Sequence, residues 1–399
     1  ESSRSGRAEE VMEYSRSLPE RVHFSNAIRF VCSTLFWLSG LASAFLGLAC
    51  VAPAAPPESN VALEAEAAAR RPGIWLSHAE IRSLPMQGAA WRRVLADAKR
   101  STDRPDLSNQ EDMTNVRVLA KALVFARTGE PRYREEVIRA CMAAMGTERG
   151  GRTLSLAREL AAYVIAADLV GLPAEEDARF RAWLRPTLSR RLKGRTLQST
   201  HEDRPNNWGT HAAASRIAAA LYLEDRAELE RAALVFRGYL GDREAYDGFK
   251  YGALSWQSDP ERPVGINPAG AKLRGHDVDG VLPDDQRRCC KDFEWPAPQE
   301  NYVYEGLQGA LAAAVMLSRA GYDVWAWQDR ALLRAFRWLH EVNDFPAVGD
   351  DTWQPHVVNF YYGSNFPAES PSRPGKNVGY TDWTHGSPRL GSFQSDGAQ

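Results

Sequence analysis

The chain has 399 residues, of which 44% are apolar and 25% are charged, so it can bury a normal hydrophobic core and is not a disordered protein. Its 49 Lys and Arg residues nearly balance its 51 Asp and Glu residues, and the net charge of -2 excludes a general attraction to nucleic acid or to an anionic membrane. Recognition of a polyanion must therefore depend on a local cluster of side chains.

The N-terminal region carries an uncharged apolar run over residues 30–52, which follows basic residues and is followed by small residues up to Ala54. This order is typical of an export signal. The run is also long enough to serve as an uncleaved membrane anchor, and lipid attachment at Cys50 is a third alternative. The sequence predicts an N-terminal extension with a signal peptide over 1–54, a linker over 55–71, and export to the periplasm or the cell exterior.

From about residue 72, apolar residues recur at helical spacing, and short turns marked by Gly or Pro separate the helices. Short connections make consecutive helices antiparallel neighbours. Residues 72–399 are therefore predicted to form one all-α domain, an (α/α) toroid that is an incomplete barrel of helical hairpins. An open α-solenoid is the alternative, although no fixed-period repeat is visible. The predicted helices span about 116–128, 133–145, 154–170, 174–192, 208–223, 227–240, 302–320 and 325–342.

Two stretches interrupt this pattern, residues 241–301 and 343–399, and both are rich in Gly and Pro. Long irregular segments in a compact domain are often functional. In a toroid they are expected to be rim loops that shape a cleft. The first stretch contains the adjacent Cys289 and Cys290, which are predicted to be free thiols and not a strained bridge.

The first candidate for chemistry is the pair formed by Asn207 and His211, which are four residues apart at the start of a predicted helix. This spacing places the amide and the imidazole on the same side of the helix. Asn206 or Asn207 can also cap the helix. The spacing alone favours the structural interpretation, a capping Asn and a core His, over a shared substrate site.

The second candidate is the acidic and basic segment 277–288 with the tyrosines that follow it. Its aspartates lack the spacing of a calcium-binding EF-hand loop and are expected to form a solvated acidic turn. Arg287 and Arg288 can pair with these aspartates or hold a substrate carboxylate. Tyr302 and Tyr304 open the next predicted helix, and the sequence does not decide which of them points to the rim.

The third candidate is a C-terminal stretch rich in aromatic residues, which can form either a wall for stacking sugars or a packed loop. Phosphate-binding loops, dinucleotide fingerprints, hydrolase nucleophile elbows and HExxH zinc motifs are all missing from the sequence. A carboxylate pair for glycoside hydrolysis is an open alternative, because several Asp and Glu residues are present. The residues of interest in the C-terminal stretch are Trp353, His356, Asn359 and Tyr362.

From Gly73 to about His385 the chain resembles the alginate lyase-like family of helical-toroid polysaccharide lyases. The resemblance implies elimination on 4-linked uronate glycans, either alginate and polymannuronate or glucuronan, without a cofactor or a metal. An anionic uronate polysaccharide would be the partner, and nucleic acid would not. The resemblance rests on NNWGTH at 206–211, DGVLPDDQRR at 279–288, NYVYEGLQGAL at 301–311 and WQPHVVNFYYG at 353–363.

In that family an Asn and a His neutralise the uronate carboxylate, an Arg assists and a Tyr transfers protons. The resemblance implies that these are Asn207, His211, Arg288 and Tyr304, with Tyr302 as the reserve tyrosine. In many such lyases the His directly follows the Asn, whereas this chain has Trp208 there. The full set of predicted substrate-binding residues is Tyr302, Asn206, Trp208, Arg287, Trp353, His356, Asn359 and Tyr362.

The chemistry explains these residue types, because donors around the carboxylate stabilise the enediolate that forms when C5 loses its proton. The product would carry a 4,5-unsaturated uronate at its new end. Two other classes fit the sequence: an (α/α)-barrel glycoside hydrolase with an Asp/Glu pair, and a glycan-binding protein without catalytic activity.

Overall fold

The computed structural model describes residues 73–371 and 373–386, and helices dominate this part of the chain. The predicted export signal over 1–54 and the linker over 55–71 lie outside the described residues. Within the described ranges, none of the helices combines the length and the apolar character needed to cross a bilayer.

The helices follow one another in the order that the periodicity predicts, and a small two-stranded antiparallel sheet joins them in the first irregular stretch. In chain order, the elements are α1 His78–Ser83, α2 Gly88–Ala98, α3 Thr114–Thr128, α4 Pro131–Ala144, α5 Thr153–Val170, α6 Ala174–Thr187, α7 Leu197–Asp203, α8 Asn207–Tyr222, α9 Arg226–Tyr239, β1 Lys272–Leu273, β2 His276–Asp277, α10 Pro283–Gln286, α11 Tyr302–Arg319, α12 Trp327–Arg337, a π-helical turn Trp338–Val342, a 3₁₀ turn Gly349–Asp351, α13 Gln354–Tyr362 and α14 Thr381–Thr384.

Local signals in the sequence explain several helix ends. Ser77 and Glu80 form a capping box at the start of α1. Gly129 ends α3 in the left-handed conformation, and Pro131 opens α4 at a position where a missing N–H costs nothing. Helix α6 ends at Thr187, earlier than the predicted residue 192, with Pro186 tolerated in its last turn.

Four helices form the inner row of the fold. Helix α3 packs against α5, α5 against α8, and α8 against α11. In α5 every residue except Asp168 is buried, which explains why apolar residues occur on every side of this helix. A polar side chain on an inner helix therefore needs a partner or a function.

The outer elements complete the all-α toroid that the sequence predicts. Helix α4 packs on α3 and α5, while α7 and α9 pack on α8. The two ends of the inner row, α11 and α3, are connected through the short helix α1, which packs on α3. Arg319 at the end of α11 reaches this helix and binds Glu80 through two nitrogens, at 2.8 and 3.2 Å.

The C-terminal segment, residues 373–386, contacts all four inner helices. Asn115 on α3 donates its side-chain N–H to the carbonyl of Lys376, and the N–H of Lys376 donates to Gln308 Oε1 on α11, each over 2.8 Å. Asn377 donates to carbonyls of α5 and meets α8. This stretch was expected to be a rim loop, but much of it is buried between the helices.

The irregular stretches also differ from expectation in two details. Helix α13 forms within 343–399, and the β1–β2 hairpin forms within 241–301. Cys289 and Cys290 are joined by a disulfide, so the prediction of two free thiols was wrong.

Gly309 allows α11 to approach α8. A Cβ atom added at this position would lie 2.3 Å from the backbone nitrogen of His211 and 2.3 Å from the carbonyl carbon of Thr210. Gly309→Ala should therefore separate the two helices and lower the free energy of unfolding by about 1–3 kcal/mol. Urea denaturation measures this, with Ser318→Ala on the same helix as the control. Equal stability of the two variants would contradict the close approach.

Candidate active site

Asn206 precedes helix α8, and both polar atoms of its side chain form hydrogen bonds within the protein. Asn206 has an extended backbone and caps the helix, because its Oδ1 accepts the N–H of Trp208 at 3.1 Å. Its Nδ2 donates to Asp284 Oδ2 at 2.7 Å. The structure thus places the predicted substrate-binding residue Asn206 where it positions the helix.

The two aspartates of α10 hold this helix start from the other side. Asp285 Oδ1 accepts the backbone N–H of Asn207 at 3.1 Å, and Asp284 Oδ1 accepts from Gly252 N and from Arg287 Nε, at 2.9 and 2.8 Å. Both aspartates are buried, so the expectation of a solvated acidic turn was wrong for them, and Arg287 serves as an ion-pair partner.

Asn207 and His211 lie one turn apart on α8, as the spacing predicts. Asn207 is 1% exposed, and within the described residues neither atom of its side-chain amide has a hydrogen-bond partner. His211 is fully buried, and its Nδ1 lies 2.5 Å from Asn377 Oδ1. Its Nε2 likewise has no hydrogen bond in the described part of the chain. Buried polar atoms without partners are uncommon and are frequent at functional sites.

A cluster of charged side chains surrounds this pair. Arg158 of α5 donates to Glu305 Oε2 of α11 at 2.6 Å, and Lys376 binds Glu305 Oε1. Lys376 also lies 3.3 Å from Asp350 Oδ2, and His211 Nε2 lies 3.5 Å from Glu305 Oε2. Three elements that are distant in sequence thus deliver two cations and a carboxylate beside the imidazole.

Burial controls the protonation of these groups. Burial and the charge of Arg158 lower the pKa of Lys376 to about 8. Burial, followed by the charges of Arg158 and Lys376, lowers the pKa of His211 well below its ordinary range. His211 is therefore neutral at physiological pH, beside two cations that are paired with carboxylates.

The two candidate tyrosines have different surroundings. Tyr304 is buried, its hydroxyl donates to the carbonyl of Phe345 at 2.6 Å, and His340 Nε2 lies 3.4 Å away. Burial, followed by the charge of Asp351, raises the pKa of Tyr304 well above its ordinary range. The structure thus gives Tyr304 the environment of a neutral core tyrosine.

Tyr302 is 40% exposed, and the Arg288 guanidinium lies over its ring at 4.4 Å from the centroid. Tyr302 precedes Glu305 by three residues on α11, so the two side chains share a side of this helix. The structure therefore brings Arg288 to Tyr302, on the side of the helix that carries Glu305.

The predicted aromatic wall is mostly a packed core. Trp353 is fully buried against Gly375 and presents no face on which a sugar could stack, so this part of the prediction is corrected. Tyr362 packs edge-on against Trp325, with ring centroids 5.4 Å apart. Trp208 is half-buried at the second position of α8.

His356 and Asn359 of α13 fasten the loop that follows their helix. His356 Nε2 lies 3.0 Å from the carbonyl of Glu369. Asn359 donates to the carbonyl of Phe366 at 2.8 Å and accepts its N–H at 2.9 Å. Both side chains are engaged with the protein backbone, where a sugar contact had been predicted.

Sequence reasoning missed Arg158, Lys376 and Asn377. A charged residue in the apolar pattern of α5 was a usable signal for Arg158. Lys376 and Asn377 follow no motif and enter the site only through the path of the C-terminal segment. Across 73–371 and 373–386, no three His, Cys, Asp or Glu side chains are arranged to hold a metal ion.

Residues 58–252 match the model of the family described as alginate lyase. The matched part includes α5 and α8 with Arg158, Asn207 and His211, and the match supports an alginate lyase-like family. At the family level, this supports a polysaccharide lyase that acts on anionic, alginate-like glycans. No curated protein matches the chain.

Asp285 offers a test of this geometry through pH. Burial, reinforced by the charge of Asp284, raises the pKa of Asp285 well above its ordinary range, although the N–H of Asn207 opposes the shift. The contribution of Asp285 to stability is therefore complete at pH values below about 3.9, its pKa in the unfolded chain. This contribution is lost as the pH rises through the higher pKa of Asp285 in the folded protein.

We expect Asp285→Asn, which keeps an oxygen for the Asn207 N–H but cannot ionise, to lose less stability than the wild type as pH rises from about 4. Urea denaturation across a pH series measures the difference. Asp259→Asn, on an exposed turn, is the control and should follow the wild-type curve. Parallel curves for Asp285→Asn and the wild type would argue against a buried, protonated Asp285.

Proposed function

We propose that this protein cleaves 4-linked uronate glycans by β-elimination and leaves 4,5-unsaturated uronate ends, with alginate, polymannuronate or glucuronan as the substrate. The observation that carries the proposal is the buried amide of Asn207, which has no partner in the described residues and lies one turn from His211. The family match adds the polysaccharide lyase class.

The chemistry suits an amide at a helix start. Removing the C5 proton of a uronate places negative charge on its carboxylate, and preorganised neutral or cationic donors stabilise the resulting enediolate. The Asn207 amide can donate to that carboxylate from the positive end of α8. Arg158 and Lys376 can donate hydrogen bonds to an anionic ring, from a cluster in which Glu305 and Asp350 balance their charge.

The contacts favour Tyr302 over Tyr304 for proton transfer. Tyr302 is exposed, so its hydroxyl can reach a bound polymer, and the Arg288 guanidinium over its ring can contact the same polymer. The Tyr304 hydroxyl is held by the Phe345 carbonyl, and its burial disfavours the charged form. The sequence named Tyr304 first and Tyr302 as the reserve, and the geometry supports the reserve.

Hydrolysis by a carboxylate pair has less support. Glu305 and Asp350 both contact Lys376, and Glu305 also binds Arg158, so these carboxylates serve as counter-ions of the cluster. An export signal over 1–54 would suit an enzyme whose polymeric substrate lies outside the cytoplasm, and we propose export on that ground.

Ultraviolet absorbance separates the three classes of function. A lyase creates a conjugated double bond that absorbs, a hydrolase cleaves the polymer without new absorbance, and a binding protein leaves the polymer intact. Alginate, polymannuronate, polyguluronate, glucuronan and hyaluronan should be tested with the purified protein. We expect absorbance to rise with at least one of the first four.

In the same assay, Asn207→Ala should reduce kcat by about 100-fold, the usual cost of losing one donor to a developing oxyanion, while KM changes less. Chain shortening without absorbance would favour the hydrolase. An unchanged length of every polymer would reject both enzyme classes for these substrates.

The tyrosine assignment is tested by a pair of matched variants. Tyr302→Phe removes only the hydroxyl and should lower kcat by about 100-fold or more, the range of general acid–base catalysis. Tyr304→Phe should keep its activity and lose about 1–3 kcal/mol of stability, because the Phe345 carbonyl is left without its donor. Initial rates and urea denaturation measure both effects. The reverse result, an active Tyr302→Phe and a folded but inactive Tyr304→Phe, would restore Tyr304.

A further inference from the structure

His211 is held on one side by a residue of the C-terminal segment. The orientation of the Asn377 side chain is fixed, since its Nδ2 donates to the carbonyls of Ala157 and Arg158, at 2.9 and 3.3 Å. Only a nitrogen can donate to two carbonyl oxygens, so the Asn377 oxygen is the atom that faces His211. That oxygen lies 2.5 Å from Nδ1 of the imidazole.

The hydrogen-bond partner of one ring nitrogen decides the state of the other. Asn377 Oδ1 can only accept, so Nδ1 of His211 must carry a hydrogen. In a neutral imidazole, Nε2 then has a lone pair and no hydrogen. Both side chains are fully buried, so water does not compete for this contact.

Two cations and two carboxylates surround His211, and the cations favour its neutral form. Arg158 comes from α5, Lys376 from the C-terminal segment and Glu305 from α11, while Asp350 of the 3₁₀ turn lies behind Lys376. The Glu305 carboxylate already binds Arg158 and Lys376, and its contact with Nε2 at 3.5 Å is not a hydrogen bond. Burial and the two cations lower the pKa of His211, which agrees with a neutral ring.

We propose that Asn377 is a positioning residue that holds His211 in the tautomer with hydrogen on Nδ1, so that Nε2 acts as a proton acceptor. The catalytic part of this inference rests on the proposed lyase function. It departs from the role that the family resemblance implies, because an Nε2 without hydrogen cannot donate to a uronate carboxylate. That donation falls to Asn207.

The elimination step then uses two groups. The proton that leaves C5 moves to Nε2 of His211, and the electron pair of the C5–H bond forms the double bond between C4 and C5. The O4 atom leaves with the electron pair of its bond to C4 and takes a proton from the Tyr302 hydroxyl. The imidazolium then passes its proton to the Tyr302 phenolate, so both residues return to their starting forms and no net proton is gained or lost.

Nitrogen NMR of the full chain labelled with ¹⁵N-histidine tests the tautomer without reference to activity, and His211→Gln assigns the signal. The wild type should show a protonated Nδ1 and an unprotonated Nε2 at neutral pH. Asn377→Asp keeps an acceptor oxygen and adds a negative charge, which should raise the pKa of His211 by about 1–3 units. Because the base must be neutral, the acidic limb of the kcat profile should move to higher pH by the same amount.

Asn365→Asp is the matched control, since Asn365 is exposed on the loop that follows α13, and it should leave both the spectrum and the pH profile of kcat unchanged. A wild-type His211 with hydrogen on Nε2 would overturn the inference, even if Asn377→Asp fails to fold. An unshifted pH profile in folded, active Asn377→Asp would overturn it as well. If the spectrum is as expected but no polymer yields unsaturated product, the tautomer assignment is supported and the lyase function is rejected.

Discussion

The site depends on how the start of α8 is buried. A helix start exposes backbone N–H groups, and the first two of α8 are satisfied by Asp285 and by the Asn206 cap. These contacts fix the helix in position without using the Asn207 side chain. Within the part of the chain that the structure describes, the amide therefore has no hydrogen-bond partner at the positive end of the helix. Gly309 lets α11 pack close to this turn, which brings Glu305 within reach of His211.

The charged cluster follows from the same burial. Two cations near a neutral imidazole would repel each other in a closed site, and Glu305 prevents this by accepting a hydrogen bond from each of them. Removing charges from water is costly unless they are paired. Glu305 is consequently a counter-ion that keeps Arg158 and Lys376 in place while no anionic substrate is present. The donors of Arg158 and Lys376 are thereby held in fixed positions near His211.

Local physics made much of this structure predictable. Helical periodicity located the helices of the inner row, and a spacing of four residues placed Asn207 and His211 together on α8. The choice between two tyrosines could not be made, because it depends on where Phe345 and Arg288 lie. Nor could composition indicate that Trp353 would be buried. Whether an aromatic residue stacks on a ligand or packs in a core depends on which other segments of the chain cover it.

The hydrogen-bond partner of His211 could not be predicted from the sequence. Asn377 is separated from His211 by 166 residues, and no motif connects the two. The family match ends at residue 252, so it covers Asn207, His211 and Arg158 but not Glu305, Lys376 or Asn377. The matched part thus supplies the amide, the imidazole and Arg158, whereas the remainder supplies Glu305, Lys376 and the Asn377 oxygen that sets the tautomer. Residue type alone does not decide whether a histidine donates or accepts. In this fold the C-terminal segment determines which ring nitrogen carries the hydrogen, because it places the Asn377 acceptor oxygen against Nδ1.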